Sequence, residues 1–335
     1  MTTMRELIAG LPDQLRWAAG LEPPEMPAAT EMLVVGMGGS GIAGDIAGVV
    51  ADAFGRRIGV HKSYGLPGWV GKASPQILAV SHSGNTEETL SSVDAALAAG
   101  LQPAVITTGG TLGEMASDGG WPMITAPVSP QPRAAVGHLA GAALRMAEAA
   151  RLVPAVADDL LEAAAVVEML MGDGDGPGVA LAEDLAEALD GRVTVIYGGL
   201  GLASVAANRW KCQINENGKA PAYWSTLPEL NHNEIVGWEA YRALSKDRIG
   251  IVTLHDRDAH PRVGLRAKLT TELVGDRVGI VGEVEAQGQS VVARLFSLMV
   301  IGDLLSVSIA ERAQIDPMPV DIIQLLKQRL AEEEA

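Results

Sequence analysis

Twice in this chain an apolar strand runs into a glycine-rich turn and straight on into an alanine-rich helix. The segment MLVVG, just after Glu31, enters Gly36-Met37-Gly38-Gly39-Ser40-Gly41 and a helix expected near 41–54. The segment VTVIYGG (193–199) enters LGLASVAANRWKCQINENG. Gly36 and Gly198 stand 162 residues apart, which suggests a duplicated plan. Further strands are expected at QILAV (76–80), PAVITT (103–108), DRIGIVTL (247–254) and DRVGIVGE (276–283). Strands that alternate with helices at this spacing belong to parallel sheets covered on both faces. The duplication is one of plan only. Nothing in the second half looks like SHSGNTEET of the first, so the two halves should do different jobs.

Residues 4–21 carry the pattern of one amphipathic helix, broken afterwards by Pro23, Pro24 and Pro27. Residues 134–171 are rich in alanine and leucine and are expected to be helical. The run GDGDGPG (172–178) is expected to be a flexible surface connection. Final helices are expected over 290–311 and 318–332. The organisation that follows is a helical segment (1–30), a first domain (31–171), a linker with a helix (172–190), and a second domain with a C-terminal helix (191–335).

The length of 335 residues suits two domains, and 48% hydrophobic with 20% charged residues is a globular composition. A net charge of −16 argues against a nucleic-acid groove and an anionic membrane surface, which both want a basic field. An anionic small molecule would have to be held by local donors against that field. The single cysteine, Cys212, excludes a disulfide framework and a multi-thiolate metal site. The six histidines show no metal-ligand spacing, so neither metal nor cofactor is expected. The first residues, MTTMRELIAGLPDQ, lack the long apolar run of a secretory signal. No apolar stretch is expected to approach the roughly 20 residues that span a bilayer. A cytoplasmic protein is the expectation.

The strongest local signal is Ser81-His82-Ser83-Gly84-Asn85-Thr86-Glu87-Glu88-Thr89. It follows an expected strand and opens an expected helix, the place where open parallel sheets bind ligands. Free N–H groups and partial positive charge at a helix start suit a phosphate. Ser81, Ser83 and Thr86 add hydroxyl donors, and Gly84 allows close approach of the backbone. Asn85 and Glu88 also fit a capping box, which explains those two residues but not the hydroxyls. The glycine turn at 36–41 lacks a clean acid for a ribose and lacks Gly-Lys-Ser/Thr, so a dinucleotide or nucleotide site is disfavoured. Gly39 and Ser40 fit better as a turn beside a sugar.

These two segments resemble the SIS (sugar isomerase) domain. GMGGSGIAGD, Tyr64-Gly65-Leu66-Pro67, SHSGNTEETL and Gln131-Pro132-Arg133 are similar to the bifunctional phosphoglucose/phosphomannose isomerase family. So are Asn208-Arg209-Trp210-Lys211, the run from Gln213 to Lys219, the run from Pro228 to Glu234, Gly302-Asp303, Asp316-Pro317 and Leu326-Lys327. The resemblance implies two SIS-type α/β domains, each a parallel sheet flanked by helices in flavodoxin-like order. It implies metal-independent interconversion of glucose 6-phosphate, and of mannose 6-phosphate, with fructose 6-phosphate through a cis-enediol. One carboxylate can move the proton between adjacent carbons, and Glu216 is the candidate. His232 and Lys327 are implied in ring opening, the histidine reaching in from a partner subunit of a homodimer. Arg133 is the candidate for stabilising enediolate charge. Residues alone leave plainer roles open: Glu216 as a loop acid, His232 as a polar turn, Lys327 as a helix-surface lysine, Arg133 as a surface cation. A non-catalytic sugar-phosphate regulator of SIS type is the alternative, though no basic helix-turn-helix is evident. Met318, between Pro317 and Pro319, and Ser308 bear on the balance between glucose and mannose phosphates.

Overall fold

The structure is a computed structural model and describes residues 2–333. The chain opens with α1 (Met4–Ala9), started by a reciprocal cap between Thr3 and Glu6, and then α2 (Leu11–Ala19). The single helix expected over 4–21 is therefore two. Pro12 is the reason: it lacks an N–H, and its ring would strike the carbonyl one turn earlier.

The first sheet is built from β1 (Glu31–Val35), α3 (Gly38–Asp52), β2 (Arg57–His61), α4 (Val70–Ala73), β3 (Gln76–Ser81), α5 (Glu87–Ala98), β4 (Ala104–Thr107), α6 (Gly110–Gly119) and β5 (Met123–Thr125). Its strands are all parallel in the order β2-β1-β3-β4-β5, with Val34 paired to Val60 on one side and Leu78 on the other. This is the flavodoxin-like order, whose direction reverses between β1 and β3. Two of these strands carried no sequence signal. β2 is an edge strand with charged ends and only Ile58 buried, and β5 has three residues.

Three helices lead to the second half: α7 (Val136–Ala149), α8 (Ala157–Met171) and α9 (Pro177–Ala188). The helical run expected over 134–171 is interrupted after Ala149, where Arg151 turns to a φ of 59° ahead of Pro154. The run GDGDGPG is a packed turn, not a loose connection. Pro177 already starts α9, and a Cβ on Gly176 would lie 2.4 Å from the carbonyl oxygen of Leu170.

The second sheet comprises β6 (Val193–Gly199), α10 (Leu202–Glu216), β7 (Ala222–Leu227), α11 (Glu234–Gly237), α12 (Arg242–Arg248), β8 (Ile249–His255), α13 (Pro261–Val274) and β9 (Ile280–Glu285). Its order is β7-β6-β8-β9, all parallel, which leaves β7 as an edge strand. The chain ends in α14 (Val291–Arg312) and α15 (Asp321–Glu333). The largest apolar core is continuous across both halves, from Met4 to Val307.

Helix α14 corrects one expectation. Its most apolar 18-residue window has a mean hydropathy of 1.8, so by length and composition it could cross a membrane. Polar residues spaced through it, Arg294, Asp303 and Ser306, hide that in the sequence. Here 94% of the window is buried, and α14 packs on α8, α9 and α10. It is the central helix of the fold.

Candidate active site

The glycine turn after β1 and the hydroxyl loop after β3 lie side by side at the β1/β3 reversal, the expected ligand crevice of this topology. Ser40 ties them together by accepting the N–H of His82 at 3.3 Å. Within the loop the Ser81 and Thr86 hydroxyls are 3.0 Å apart, Gly84 N–H donates to Ser81 Oγ, and Asn85 N–H donates to Ser83 Oγ. Gly84 has a φ of +70°, and a Cβ there would lie 1.8 Å from the Gly109 carbonyl oxygen, so the loops after β3 and β4 touch backbone to backbone.

The capping box expected from Asn85 and Glu88 is not formed. Thr86 is the residue that starts α5, and no side chain caps that helix. Asn85 instead accepts the N–H of Thr111 at 3.0 Å, serving the first turn of α6. The close approach at Gly84 draws Asn85 across to the neighbouring loop. The first-turn N–H groups of α5 thus keep their donor capacity and partial positive charge for an anion.

Arg133 sits in the 3-10 turn Pro132–Ala134 that precedes α7, against Gly39. It is buried. Its guanidinium donates to Asn217 Oδ1 (2.6 Å), Gln131 Oε1 (2.6 Å), and the carbonyls of Pro317 (2.8 Å) and Met318 (2.9 Å). That uses four of its five N–H groups. The remaining one is on Nη1. Burial lowers the pKa of Arg133, and the Glu216 carboxylate nearby raises it. An arginine stays charged in either case.

Glu216 is the last residue of α10 and half-buried. A helix that follows β6 and leads to the parallel β7 must end at the strand-start edge of its sheet. The acid is therefore on the edge opposite the Gly198-Gly199 turn, where analogy with the first half would never place it. The flanking asparagines hold the turn. Asn215 donates to the Ala220 carbonyl at 2.8 Å, and Asn217 is fully buried. Lys219, which the sequence reading did not single out as a site residue, hydrogen-bonds the Glu216 carbonyl and donates to the Pro317 carbonyl at 3.2 Å.

Beneath these groups runs a closed ring of buried polar contacts. Arg133 Nε donates to Asn217, Asn217 Nδ2 donates to Ser306 Oγ (3.0 Å), and Ser306 Oγ donates to the Asp303 carbonyl (2.6 Å). The Asp303 carboxylate takes both prongs of Arg209, at 2.9 and 2.6 Å, and Arg209 Nη2 returns to the Arg133 carbonyl at 3.1 Å. Arg209, Ser306 and Asp303 went unassigned in the sequence reading. The signal that could have found them is a lone acid inside an apolar helix, which must have a partner.

The remaining candidates divide. Lys327 on α15 lines a cavity of about 280 Å³ together with Asn85, Thr86, Glu87 and Glu88, so it stands over the hydroxyl loop after β3. His232 ends the 3-10 turn Glu229–His232 beyond edge strand β7, is exposed, and is not joined to the ring. The loop residue His82 is buried and accepts the Ser129 N–H at 3.3 Å, and Ser129 in turn bonds Gln131. It braces the segment that carries Arg133. Among the described residues no group of three or more His, Cys, Asp or Glu side chains is arranged to hold a metal ion.

Two doubly wound halves and a hydroxyl loop at the strand reversal define a SIS-type α/β protein. The pattern of the bacterial phospho-glucose isomerase C-terminal SIS domain matches residues 179–330. A bifunctional phosphoglucose/phosphomannose isomerase of Caldicellulosiruptor bescii is 39% identical over 90% of this chain and 90% of its own length. One from Aquifex aeolicus is 31% identical over 98% of this chain and 99% of its own. The chain belongs to the bifunctional phosphoglucose/phosphomannose isomerase family, and is an enzyme of the isomerase class. In fold it is similar to the tagatose-6-phosphate ketose/aldose isomerase of Escherichia coli, with a TM-score of 0.68 and 15% identity over 95% of this chain and 94% of that one.

Proposed function

We propose that the protein is a metal-independent aldose–ketose isomerase that interconverts glucose 6-phosphate, and mannose 6-phosphate, with fructose 6-phosphate. The observation that carries this reading is the hydrogen bond from Arg133, of the half with the phosphate loop, to Asn217, the neighbour of Glu216 in the other half. It ties the candidate cation to the turn that carries the candidate carboxylate, and so supports a site shared between the two halves.

The ester of the sugar docks on Ser81, Ser83, Thr86 and the first N–H groups of α5, with Gly39 and Ser40 beside the ring. Lys327, above the loop, and His232, supplied by a second subunit, move the protons that open the pyranose or furanose. Glu216 then takes the proton from C2 of the aldose. The electron pair forms the C1–C2 double bond and the aldehyde oxygen becomes the enediolate oxygen. Arg133 keeps one Nη1 hydrogen to offer that charge, and a buried cation is worth more there than in water. Glu216 returns its proton to C1 while the proton of the C2 hydroxyl passes to the C1 oxygen, which leaves a ketone at C2 and a hydroxyl at C1. Charge at the enediolate is met by Arg133, so no metal is called for in this scheme.

A homodimer with shared sites fits the surface. Edge strand β7 exposes Tyr223 (63%) and Trp224 (38%) just ahead of His232, and α15 has no buried residue. An open edge strand with exposed aromatics is a surface that pairs. The test is a coupled assay of fructose 6-phosphate conversion in EDTA, with glucose and mannose 6-phosphates as reverse substrates. Turnover of fructose 6-phosphate, abolished by Glu216→Gln, is expected. Binding without turnover in the wild-type protein would favour the regulator instead.

A further inference from the structure

We propose that Asp303 is a positioning residue of the isomerase site, acting through Arg209, Arg133 and Asn217 to hold the proton-moving carboxylate opposite its cation. The inference rests on the isomerase reading above and adds a role for a side chain that touches no substrate.

The ring spans three elements. Arg133 comes from the turn before α7, Arg209 and Asn217 from α10 and its end, and Asp303 and Ser306 from one turn of α14. Arg209, two turns earlier on α10, and Asn217, the residue just past its end, bracket Glu216. Arg209 fixes the carbonyl of Arg133, and Asn217 fixes its guanidinium. Both ends of the α10 segment carrying the acid are thereby tied to the residue bearing the cation. Those two groups belong to different halves of the chain, so their spacing is not set by either sheet alone. The link between the two ties is α14: the Asp303 carboxylate seats Arg209, and Ser306, one turn on, seats Asn217.

The packing shows that this contact is deeply enclosed. A Cβ on Gly302 would lie 2.1 Å from the Trp210 ring, so α14 and α10 touch at the residues next to Asp303 and Arg209. Trp210 also donates to the Leu298 carbonyl at 2.7 Å. The side chains of Arg209 and Asp303 are 3% and 4% exposed. A buried ion pair of this kind adds little to stability over a well-packed apolar pair, because two charges must be stripped of water. What it does supply is direction: a two-pronged fork fixes Arg209 in plane, with a third N–H left for the Arg133 carbonyl. A displacement of about 1 Å in a reacting group costs on the order of a hundredfold in rate.

The test uses the full-length protein and two variants. The double variant Arg209→Met with Asp303→Leu removes both charges without leaving one unpaired. The single variant Asp303→Asn keeps the volume but offers Arg209 one acceptor and one opposing donor in place of two acceptors. Urea midpoints report folding, and steady-state kinetics on fructose 6-phosphate report kcat and KM separately. The expected result is a folded double variant whose kcat falls about ten- to a hundredfold with KM within about twofold. Asp303→Asn falls in the same direction. Should the double variant not fold, Asp303→Asn decides alone. A wild-type kcat in either folded variant overturns the positioning role, as does a loss carried by KM alone. The wild-type rate measured alongside separates the two levels: no turnover in the wild-type protein overturns the isomerase reading and this role with it.

Discussion

Gly84 and Gly100 share a left-handed backbone, with φ of +70° and +74°. They differ in what surrounds them. A Cβ on Gly100 would meet nothing within 4 Å, whereas one on Gly84 would sit 1.8 Å from the Gly109 carbonyl oxygen. The conformational penalty of Gly→Ala is common to both, about 1 kcal/mol. At Gly84 the loop after β4 must also retreat by roughly 1.5 Å to reach ordinary contact. That retreat breaks the bond from Leu112 N–H to the Gly84 carbonyl (2.9 Å) and the bond from Thr111 N–H to Asn85 (3.0 Å). Each is worth about 1 kcal/mol. Gly84→Ala should therefore cost about 3 kcal/mol against about 1 kcal/mol for Gly100→Ala. Urea unfolding at 25 °C measures both. Gly84→Ala should in addition raise KM for a sugar phosphate, since it moves Ser83, Asn85 and Thr86, while Gly100→Ala leaves KM alone. Equal destabilisation of the two variants would refute the idea that backbone contact between the loops, and not φ, demands a glycine at 84.

Gly302→Ala drives a methyl into Trp210 and should destabilise by about 1–3 kcal/mol, read from the urea midpoint. Arg133→Lys keeps one charge but cannot satisfy the acceptors on Asn217, Gln131, Pro317 and Met318 together, so kcat should fall by about a hundredfold in the coupled assay. Burial first, and His82 second, push the pKa of His138 down from 6.5 to about 4. The unfolded chain then binds a proton at His138 below pH 6.5 that the folded chain refuses until about pH 4. Its stabilising effect is complete above pH 6.5 and declines as pH falls toward 4. In His138→Phe, which keeps the edge-on contact with Trp17, the drop in urea midpoint between pH 7 and pH 5 should be smaller than in the wild-type protein.

What the sequence discloses is what is local. The strand-to-glycine-to-helix units and the hydroxyl loop are contiguous in the chain, and the structure places both loops at one strand reversal. The same local grammar misleads at Asn85, whose spacing to Glu88 fits a cap. The partner it takes, Thr111, is 26 residues away and arrives only when the loops after β3 and β4 meet. The ring under Glu216 is less legible still. Its contacts Arg133–Asn217, Asn217–Ser306 and Arg209–Asp303 span 84, 89 and 94 residues, and beyond the lone acid Asp303 in an apolar helix nothing local says which residues meet. Edge strand β7 escaped notice because it is half exposed and short of apolar alternation, with Ala222 and Leu227 its only buried residues. Helix α14 escaped as an apolar span because its charges are matched inside the protein: Arg294 with Asp256 at 2.8 Å, and Asp303 with Arg209 at 2.6 Å.

The central claim is that Glu216 carries hydrogen between neighbouring carbons of a phosphorylated sugar held across the seam. Following the fate of solvent deuterium by NMR while the wild-type and Glu216→Gln proteins act on fructose 6-phosphate tests it most directly. Deuterium should enter C2 of the glucose 6-phosphate formed by the wild-type protein, and no exchange should occur with Glu216→Gln. Exchange at an undiminished rate in that variant would contradict the account.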